Sequence, residues 1–272
     1  MHKQNRVYVF WATALILVLT FGNSTMVSAG KPTPTPPGPT PTPVPPGPTV
    51  VTIGFDDGYA DQYLARDILA AHGMQATFFV NTGVVGDSVH MTWEQLSGLY
   101  ANGNEITGHS LTHANLKQLK GTALLREVCN DRVNLFNHGF QPTSFAYPFG
   151  NYNATTIQAL KDCGYNSGRT VSMGPDTIPP HDPYATWALP SVKGSTTLAT
   201  IEGWITQTEQ SGGGWAQLVL HHVCNNCDVY SITPENFSAL LDWLQPRAAT
   251  GTVVKTTNDV IGGTVEPPVS IP

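Results

Sequence analysis

The chain has 272 residues, of which 40% are hydrophobic and only 12% are charged, and its formal net charge is -6. This is enough apolar material for one sizeable core. The acidic balance and the lack of a basic run make nucleic acid an unexpected partner.

The N-terminal residues predict a secretory signal peptide. A basic start precedes an apolar run over residues 7–21, and the small-residue sequence Val27-Ser28-Ala29 follows. We therefore predict a signal peptide over residues 1–29 and a secreted protein, with or without attachment to the cell surface. The apolar run is short for a membrane span, so none is expected after cleavage. An uncleaved anchor remains the alternative.

The next segment differs sharply in composition. Residues 30–49 are rich in proline and threonine and cannot bury a core, which predicts an extended, polyproline-like linker. From Val50 onward, short β-rich runs alternate with helical segments. This alternation predicts a parallel sheet, and about seven βα units predict a distorted (β/α) barrel. We assign it to a single α/β catalytic domain over residues 50–265.

Several later elements belong to this pattern. We predict one long helical stretch over residues 114–139, and short strands over residues 143–147 and 165–170. A proline-rich loop then leads to a helix near residues 197–210 and to the strand that ends in Leu220-His221-His222.

Four cysteines in a secreted chain favour disulfides, and four allow three pairings. We favour a local Cys224–Cys227 bridge and a longer Cys129–Cys163 bridge. The C-x-x-C could instead be redox-active or bind zinc. A zinc site is the weaker interpretation because the sequence has no second C-x-x-C.

Titratable residues follow several predicted strands, where a barrel collects its active site. They are Asp56-Asp57 after the first strand, His109 after the third, Arg169 in the fifth, and His221-His222 after a late strand.

The sequence HSLTH places His109 and His113 four residues apart. On a helical turn both imidazoles would lie on one face and could share a metal, although two surface or capping histidines are the ordinary alternative. The position after the first histidine is Ser110, so the zinc-protease pattern fails. A carboxylate ligand and a base must then come from elsewhere, and Asp56 and Asp57 could supply one each.

The motifs GFDDG, HSLTH, YPFG and LVLHH, in this order, resemble the polysaccharide deacetylases of carbohydrate esterase family 4, or NodB homology domain. The resemblance extends over residues 49–260. It implies a divalent metal, typically Zn²⁺ with Co²⁺ or Ni²⁺ as alternatives, and a polysaccharide as the partner. We expect the protein to be a monomer.

The resemblance also implies a role for each matching residue. Asp56 would be the general base, His221 the general acid, and the Phe149 N–H an oxyanion donor. The remaining roles are those of metal ligand for Asp57, His109 and His113, and of acetyl-pocket wall for Leu218 and Leu220. We add Trp187, in the proline-rich loop, as a substrate contact.

Two departures from the family pattern stand out. The arginine expected at the start of the third motif is Ala146, and no D-x-x-D-W sequence follows Tyr165. We predict that Arg169, from the next strand, takes the place of the missing arginine beside Asp56. No partner that orients His221 is identifiable. His222 is the alternative acid, and neighbours on a strand face opposite ways, so only one of the two should enter the site.

The sequence therefore predicts a secreted, metal-dependent deacetylase. N-acetylglucosamine polymers, either chitin or peptidoglycan, are the first expected substrates and acetylxylan is the next. A catalytically silent carbohydrate-binding relative remains open because of the two departures. A non-haem iron oxygenase also remains open, since two histidines and one carboxylate suit that metal.

Overall fold

The structure is a computed structural model that describes residues 47–272. The predicted signal peptide and residues 30–46 of the predicted linker lie outside the described residues. Within residues 47–272, no helix is both long enough and apolar enough to cross a bilayer.

The described residues form seven short strands. They are β1 (Thr49–Phe55), β2 (Thr77–Val80), β3 (Glu105–Gly108), β4 (Gly214–Leu220), β5 (His222–Val223), β6 (Ser231–Ile232) and β7 (Thr252–Val254).

Eight α-helices are described with them. They are α1 (Ala65–Ala71), α2 (Trp93–Ala101), α3 (Gly121–Leu125), α4 (Asp131–Asn137), α5 (Ala154–Asp162), α6 (Leu198–Gln210), α7 (Pro234–Leu244) and α8 (Thr257–Ile261). A 3-10 turn at Ala60–Leu64 precedes α1, and a π-helical turn at Arg126–Asn130 joins α3 to α4.

The strands of the main sheet are parallel and close into a ring. In the sheet, β1 pairs with β2, β4 and β7, and β2 pairs with β3. Parallel bridges continue the ring from Gly108 to Phe145, from Ala146 to Arg169 and then to Thr186, and a bridge at Ser191 returns to β4. The predicted distorted (β/α) barrel is confirmed, with single bridges in place of several regular strands.

All seven residues of β1 are buried, because β1 lies between strands on both edges and between packed layers on both faces. The main core joins its alternate side chains Val51, Ile53 and Phe55 to the covering helices. A second buried cluster lies around Phe145, Tyr165 and the Cys129–Cys163 bridge. These clusters fix the carboxyl ends of the strands at one edge of the barrel.

The long helix predicted over residues 114–139 is wrong in its first part. Lys120 is extended and Gly121 has φ +51°, a left-handed conformation that a right-handed helix cannot continue through. The helical stretch therefore begins at Gly121 and passes through the π-helical turn before it ends at Asn137. The predicted strands at residues 143–147 and 165–170 appear only as isolated bridges.

Both favoured disulfides are confirmed by the structure, Cys129–Cys163 and Cys224–Cys227. The longer bridge joins the π-helical turn to the end of α5. Nearby, the buried Arg132 guanidinium donates hydrogen bonds to the carbonyl oxygens of Glu266 and Pro267 at 2.7 and 3.2 Å. The C-terminal segment beyond residue 265 therefore packs on the barrel.

Asp131, at the start of α4, provides a test of how the barrel responds to pH. Its side chain is fully buried and accepts hydrogen bonds from the Thr82 N–H and hydroxyl at 3.2 and 2.7 Å. Burial raises the pKa of Asp131 to about 7, although the hydrogen bonds from Thr82 partly oppose the shift. The folded protein therefore holds a proton that the unfolded chain releases near pH 4.

We predict that this group makes the unfolding free energy fall as pH rises from about 4 to about 7, by up to about 1.4 kcal/mol per pH unit. Asp131→Asn mimics the protonated carboxyl and should flatten that slope in urea unfolding measured across the window. Asp67→Asn, which removes an exposed carboxylate, is the control. An unchanged slope in Asp131→Asn would contradict the prediction.

Candidate active site

An open cavity of about 640 Å³ lies at the carboxyl ends of the parallel strands. Five of the predicted site residues line it, namely Asp56, Asp57, His109, His113 and His221. The exposed side chain of Phe149 lies at its rim. The barrel thus brings together residues that are up to 165 positions apart in the sequence.

The two adjacent aspartates are separated by a left-handed turn that follows β1. Asp57 has φ +75° and Gly58 has φ +80°. A Cβ at Gly58 would lie 3.2 Å from a methyl carbon of Val80, so glycine suits this position in both conformation and space. As a result, Asp56 contacts Arg169, whereas Asp57 contacts the two histidines.

Asp57, His109 and His113 form a cluster with the chemistry of a metal site. The Asp57 Oδ1 atom lies 3.4 Å from His109 Nε2 and 3.3 Å from His113 Nε2. One ligand atom from each residue lies within 4.8 Å of the other two. Two imidazole nitrogens and one carboxylate oxygen suit Zn²⁺ and related divalent ions and leave an open coordination position.

The orientation of His109 fits this assignment. Its Nδ1 atom lies 2.8 Å from the carbonyl oxygen of Ala146. A carbonyl oxygen only accepts, so Nδ1 carries the proton and donates it, and Nε2 keeps a lone pair directed to Asp57 and His113. Such a hydrogen bond fixes the tautomer that a metal-binding histidine needs. Ala146, which stands where the family motif has an arginine, therefore still contributes through its backbone carbonyl.

The HSLTH segment is not helical, so the predicted helical turn is wrong. Ser110 and His113 have φ values of +70° and +58°. The backbone N–H of Leu111 donates to the carbonyl oxygen of Glu127, and that of Thr112 donates to the Glu127 carboxylate. Because the loop bonds to neighbouring elements, the two imidazoles meet through left-handed backbone rather than helical spacing.

Arg169 lies against Asp56, as the sequence predicted. The guanidinium Nη2 is 2.5 Å from Asp56 Oδ1, and both side chains are almost fully buried. A second donor, Nη1, bonds to the carbonyl oxygen of Thr170, and the guanidinium packs over the Phe79 ring. Arg169 also bridges to Ala146 in the barrel, which explains how it reaches the region of the missing arginine.

The charges of the site compensate one another. Burial alone would raise the pKa of Asp56, but the Arg169 guanidinium and His109 outweigh burial and hold that pKa below its usual value. Burial also opposes ionisation of Asp57, whose pKa is lowered by contact with His109 and His113. Both carboxylates are therefore ionised at neutral pH, as a base and a metal ligand require.

His221 and His222 both line the cavity, so the prediction that only one would enter it is wrong. His221 comes directly after β4, and its Nδ1 is buried with no hydrogen-bond partner among residues 47–272. His222 binds Asp61 through Nδ1 at 2.7 Å and stacks on Tyr59 with ring centroids 3.9 Å apart.

The two histidines differ in their relation to the aspartates. Burial lowers the pKa of His221, while the charges of Asp56 and Asp57 partly oppose this effect. His221 lines the same cavity as the two aspartates. With Nδ1 buried, Nε2 is the His221 nitrogen available to a bound molecule.

Three predicted substrate contacts do not reach the cavity. Leu218 and Leu220 are about 1% exposed and pack in the main core against side chains of the covering helices. Trp187 stacks on His181 with ring centroids 4.5 Å apart, away from the cavity lining. Leu218 and Leu220 point outward from the barrel because alternate residues of a barrel strand face opposite sides.

A second group of potential ligands, Asp61, Cys224 and Cys227, does not supply free thiolates, because its two sulfur atoms are joined as a disulfide. The structure also identifies cavity residues that the sequence did not single out, including Tyr59, Lys193 and Tyr230. No spacing in the sequence marks them, because they come from separate loops.

The family model described as polysaccharide deacetylase matches residues 44–168, which include Asp56, Asp57, His109 and His113. Over these residues the chain is similar to the polysaccharide deacetylase family. The predicted resemblance is thereby confirmed. His221 and Arg169 lie beyond the matched residues, so their place in this site rests on the structure.

Relatives of known name agree with this family. YxkH of Bacillus subtilis (strain 168), a candidate polysaccharide deacetylase, is 36% identical over 127 residues, or 46% of this chain and 45% of that protein. A chitin deacetylase of Pestalotiopsis sp is 28% identical over 135 residues, or 48% of this chain and 43% of that protein. The chain thus spans less than half the length of these relatives.

Solved structures share the fold. A family 4 acetyl xylan esterase from Clostridium thermocellum, in complex with a cobalt ion, superposes with a TM-score of 0.53. Its sequence identity is 19%, and the match covers 78% of this chain and 90% of that one. At this identity the likeness supports the barrel fold of the polysaccharide deacetylase domain.

The ligand geometry predicts one divalent ion for each chain. The full chain, stripped with a chelator and titrated with Zn²⁺ or Co²⁺, should bind one equivalent in calorimetry. Asp57→Ala and His113→Ala should each weaken affinity by about 100-fold or more, since each removes a direct ligand. His222→Ala removes a cavity histidine outside the cluster and should leave the stoichiometry at one. Unchanged affinity in both ligand variants would refute the site.

The Asp56–Arg169 pair predicts a stability effect. Arg169→Met leaves the Asp56 charge buried without its partner and should lower the unfolding free energy at pH 7 by about 3–5 kcal/mol. The loss should shrink at acid pH, where the unpaired carboxyl takes up a proton. Asp56→Asn combined with Arg169→Met should recover part of it.

Arg247→Met is a matched control for this pair. It breaks the partly exposed Arg247–Glu209 contact of 3.2 Å and should cost only about 0–1 kcal/mol. Equal losses in Arg169→Met and Arg247→Met, measured by urea unfolding, would contradict the importance of the buried pair.

Proposed function

We propose that the protein is a secreted, metal-dependent polysaccharide deacetylase that hydrolyses acetyl groups from N-acetylglucosamine polymers, with acetylxylan as the next substrate. One observation carries the proposal. The Asp57–His109–His113 cluster lies beside an ionised, arginine-paired Asp56 in an open cavity, within a chain whose residues 44–168 match the polysaccharide deacetylase family model.

The donor set suits a divalent cation, with Zn²⁺ our first choice and Co²⁺ or Ni²⁺ as alternatives. The cobalt ion of the C. thermocellum esterase supports a metal of this kind. A cation bound by Asp57, His109 and His113 would supply a Lewis acid for the acetyl carbonyl and the attacking water. The buried hydrogen bond from His109 Nδ1 to the Ala146 carbonyl keeps the ligand geometry in place.

The other residues handle protons and orientation. Asp56, kept ionised by Arg169, accepts a proton from the attacking water. The Phe149 backbone N–H, at the cavity rim, helps to stabilise the oxyanion. His221 delivers a proton from Nε2 to the leaving amine or sugar oxygen. His221 is preferred to His222 as the acid because it is coupled electrostatically to Asp56 and Asp57.

Further features support the substrate class and location. The cavity is open, so it can admit part of a long polymer, and Phe149, Tyr59 and Tyr230 offer aromatic surfaces along it. The chitin deacetylase and the acetyl xylan esterase named above act on polymers of the two proposed kinds. Two disulfides agree with secretion into an oxidising compartment.

The catalytically silent binding protein is less well supported than the enzyme. Ala146 removes the family arginine, yet Arg169 occupies its place beside Asp56. Within residues 47–272 His221 Nδ1 has no hydrogen-bond partner, and this departure still favours a silent relative. The Asp57–His109–His113 set would also suit a non-haem iron oxygenase, but the ionised, Arg169-paired Asp56 beside it fits hydrolysis better.

The test is acetate release from chitin oligomers, peptidoglycan and acetylxylan, measured with added Zn²⁺ and with chelator. The wild type should release acetate from at least one polymer, and chelation should abolish release. Asp56→Asn should lower kcat by about 10²- to 10⁴-fold, because the general base is lost, while the protein still binds one metal ion.

Asp67→Asn, an exposed aspartate of α1, is the control for this assay and should keep full activity. Binding to a polymer without acetate release from any substrate would favour the silent relative instead.

A further inference from the structure

The 3-10 turn Ala60–Leu64 links the loop that carries Asp56 to the loop that carries His221. Gln62 lies on this turn, and its side chain is fully buried. Its Nε2 atom donates hydrogen bonds to the carbonyl oxygen of Asp56 at 2.5 Å and to that of His221 at 2.6 Å. One side chain thus joins the backbone of the proposed base to the backbone of the proposed acid.

The position of these two carbonyl groups explains why a donor is needed. The parallel ladder between β1 and β4 ends at the pair Phe55 and Leu220. Asp56 and His221 are the next residues on each strand. The Asp56 N–H still donates to the Leu220 carbonyl at 2.9 Å, but the carbonyl groups of Asp56 and His221 lie beyond the ladder. Both acceptors are carbonyl oxygens, so the amide nitrogen of Gln62, and not its oxygen, must face them. Gln62 therefore holds the two strand ends at a fixed separation beyond the sheet.

Asp61, the neighbour of Gln62, anchors the same loop on the other side of His221. One carboxylate oxygen accepts from the backbone N–H of Val223 at 3.1 Å, and the other accepts from His222 Nδ1 at 2.7 Å. His221 is therefore held through its own carbonyl and through the two residues that follow it. Both anchors belong to the turn that follows Asp56 and Asp57 in the sequence.

The imidazole of His221 lacks an anchor of its own. Its Nδ1 is buried and has no hydrogen-bond partner in the described part of the chain. A histidine that transfers protons needs a defined position, which a carboxylate at the second nitrogen commonly provides. Among residues 47–272, the hydrogen bonds that hold this residue are made to its own carbonyl group and to the two residues after it.

We propose that Gln62, supported by Asp61, is a positioning residue that sets the place of His221 relative to Asp56, in the role that a side-chain partner of His221 would otherwise have. The proposal rests on the proposed function, in which His221 is the acid. Gln62 does not line the cavity, so it acts through His221 and touches no substrate.

The main test uses Gln62→Met, which keeps the length of the side chain and removes both donors. With the polymer from which the wild type releases acetate, kcat should fall by about 10- to 100-fold, as a small misplacement of a catalytic group can cause, while KM changes by less than about threefold. Metal stoichiometry should remain at one.

The matched control is Asn104→Leu. Asn104 is also a buried amide with two backbone partners, since it accepts from the Ala76 N–H and donates to the Leu99 carbonyl, both at 2.9 Å. It lies just before β3, at the opposite end of the barrel from the cavity. Its variant should lose stability comparably and keep the wild-type kcat.

A double-variant cycle separates positioning from general destabilisation. If Gln62 acts through His221, Gln62→Met should lower kcat in the wild type and have no further effect in His221→Ala. A purely structural Gln62 would lower kcat by the same factor in both backgrounds, and that result would overturn the proposal. If Gln62→Met does not fold, Gln62→Asn, which keeps the amide but is too short to reach both carbonyls, takes its place in the cycle.

A measurement that needs no substrate tests the positioning role of Gln62 independently of the proposed deacetylase activity. The ring ¹⁵N and ¹H resonances of His221, and the hydrogen exchange of the Val223 amide, should change in Gln62→Met and stay unchanged in Asn104→Leu. If the wild type releases no acetate but these signals move as described, the proposed function fails and the anchoring by Gln62 stands. If they do not move, Gln62 does not position His221.

Discussion

The site depends on the way in which β1 is enclosed. This strand is buried along its whole length and pairs with β2, β4 and β7. Phe55, the last residue of β1, therefore has almost no freedom of position. This restricts the positions of the two aspartates that follow it. Because the strands of the sheet run parallel, the carboxyl ends of β3 and β4 bring His109 and His221 to the same edge as the two aspartates.

Within the site, each of the two adjacent buried aspartates has its own partners. Asp56 would be costly to bury alone, and Arg169 offsets that cost across the interior of the barrel. Asp57 is balanced by two histidines that converge on it. The carboxylates are adjacent in sequence yet serve separate partners, because the left-handed backbone at Asp57 turns the chain between them.

The sequence predicted the site well where the functional residues follow the carboxyl ends of parallel strands. Asp56, Asp57, His109 and His113 were predicted from strand ends and from the resemblance, and Arg169 was predicted because Asp56 lacked its usual partner. The sequence was misleading about Leu218 and Leu220, since a buried strand with apolar residues on both faces does not reveal which face looks into the barrel. The HSLTH spacing suggested a helix, but the bonds that decide the loop come from Glu127, far along the chain.

Contacts made through backbone atoms were the least accessible to prediction. Ala146 orients His109 through a carbonyl oxygen, so the side chain at that position gives no hint of its contribution. Gln62 and Asp61 hold the His221 loop through carbonyl and amide groups, and no motif marks them. These cases have a common physical cause. Where strands of a barrel end, carbonyl and N–H groups leave the ladder and must find other partners. The side chains that satisfy them also hold the proposed catalytic residues in place, so the same contacts end the sheet and order the site.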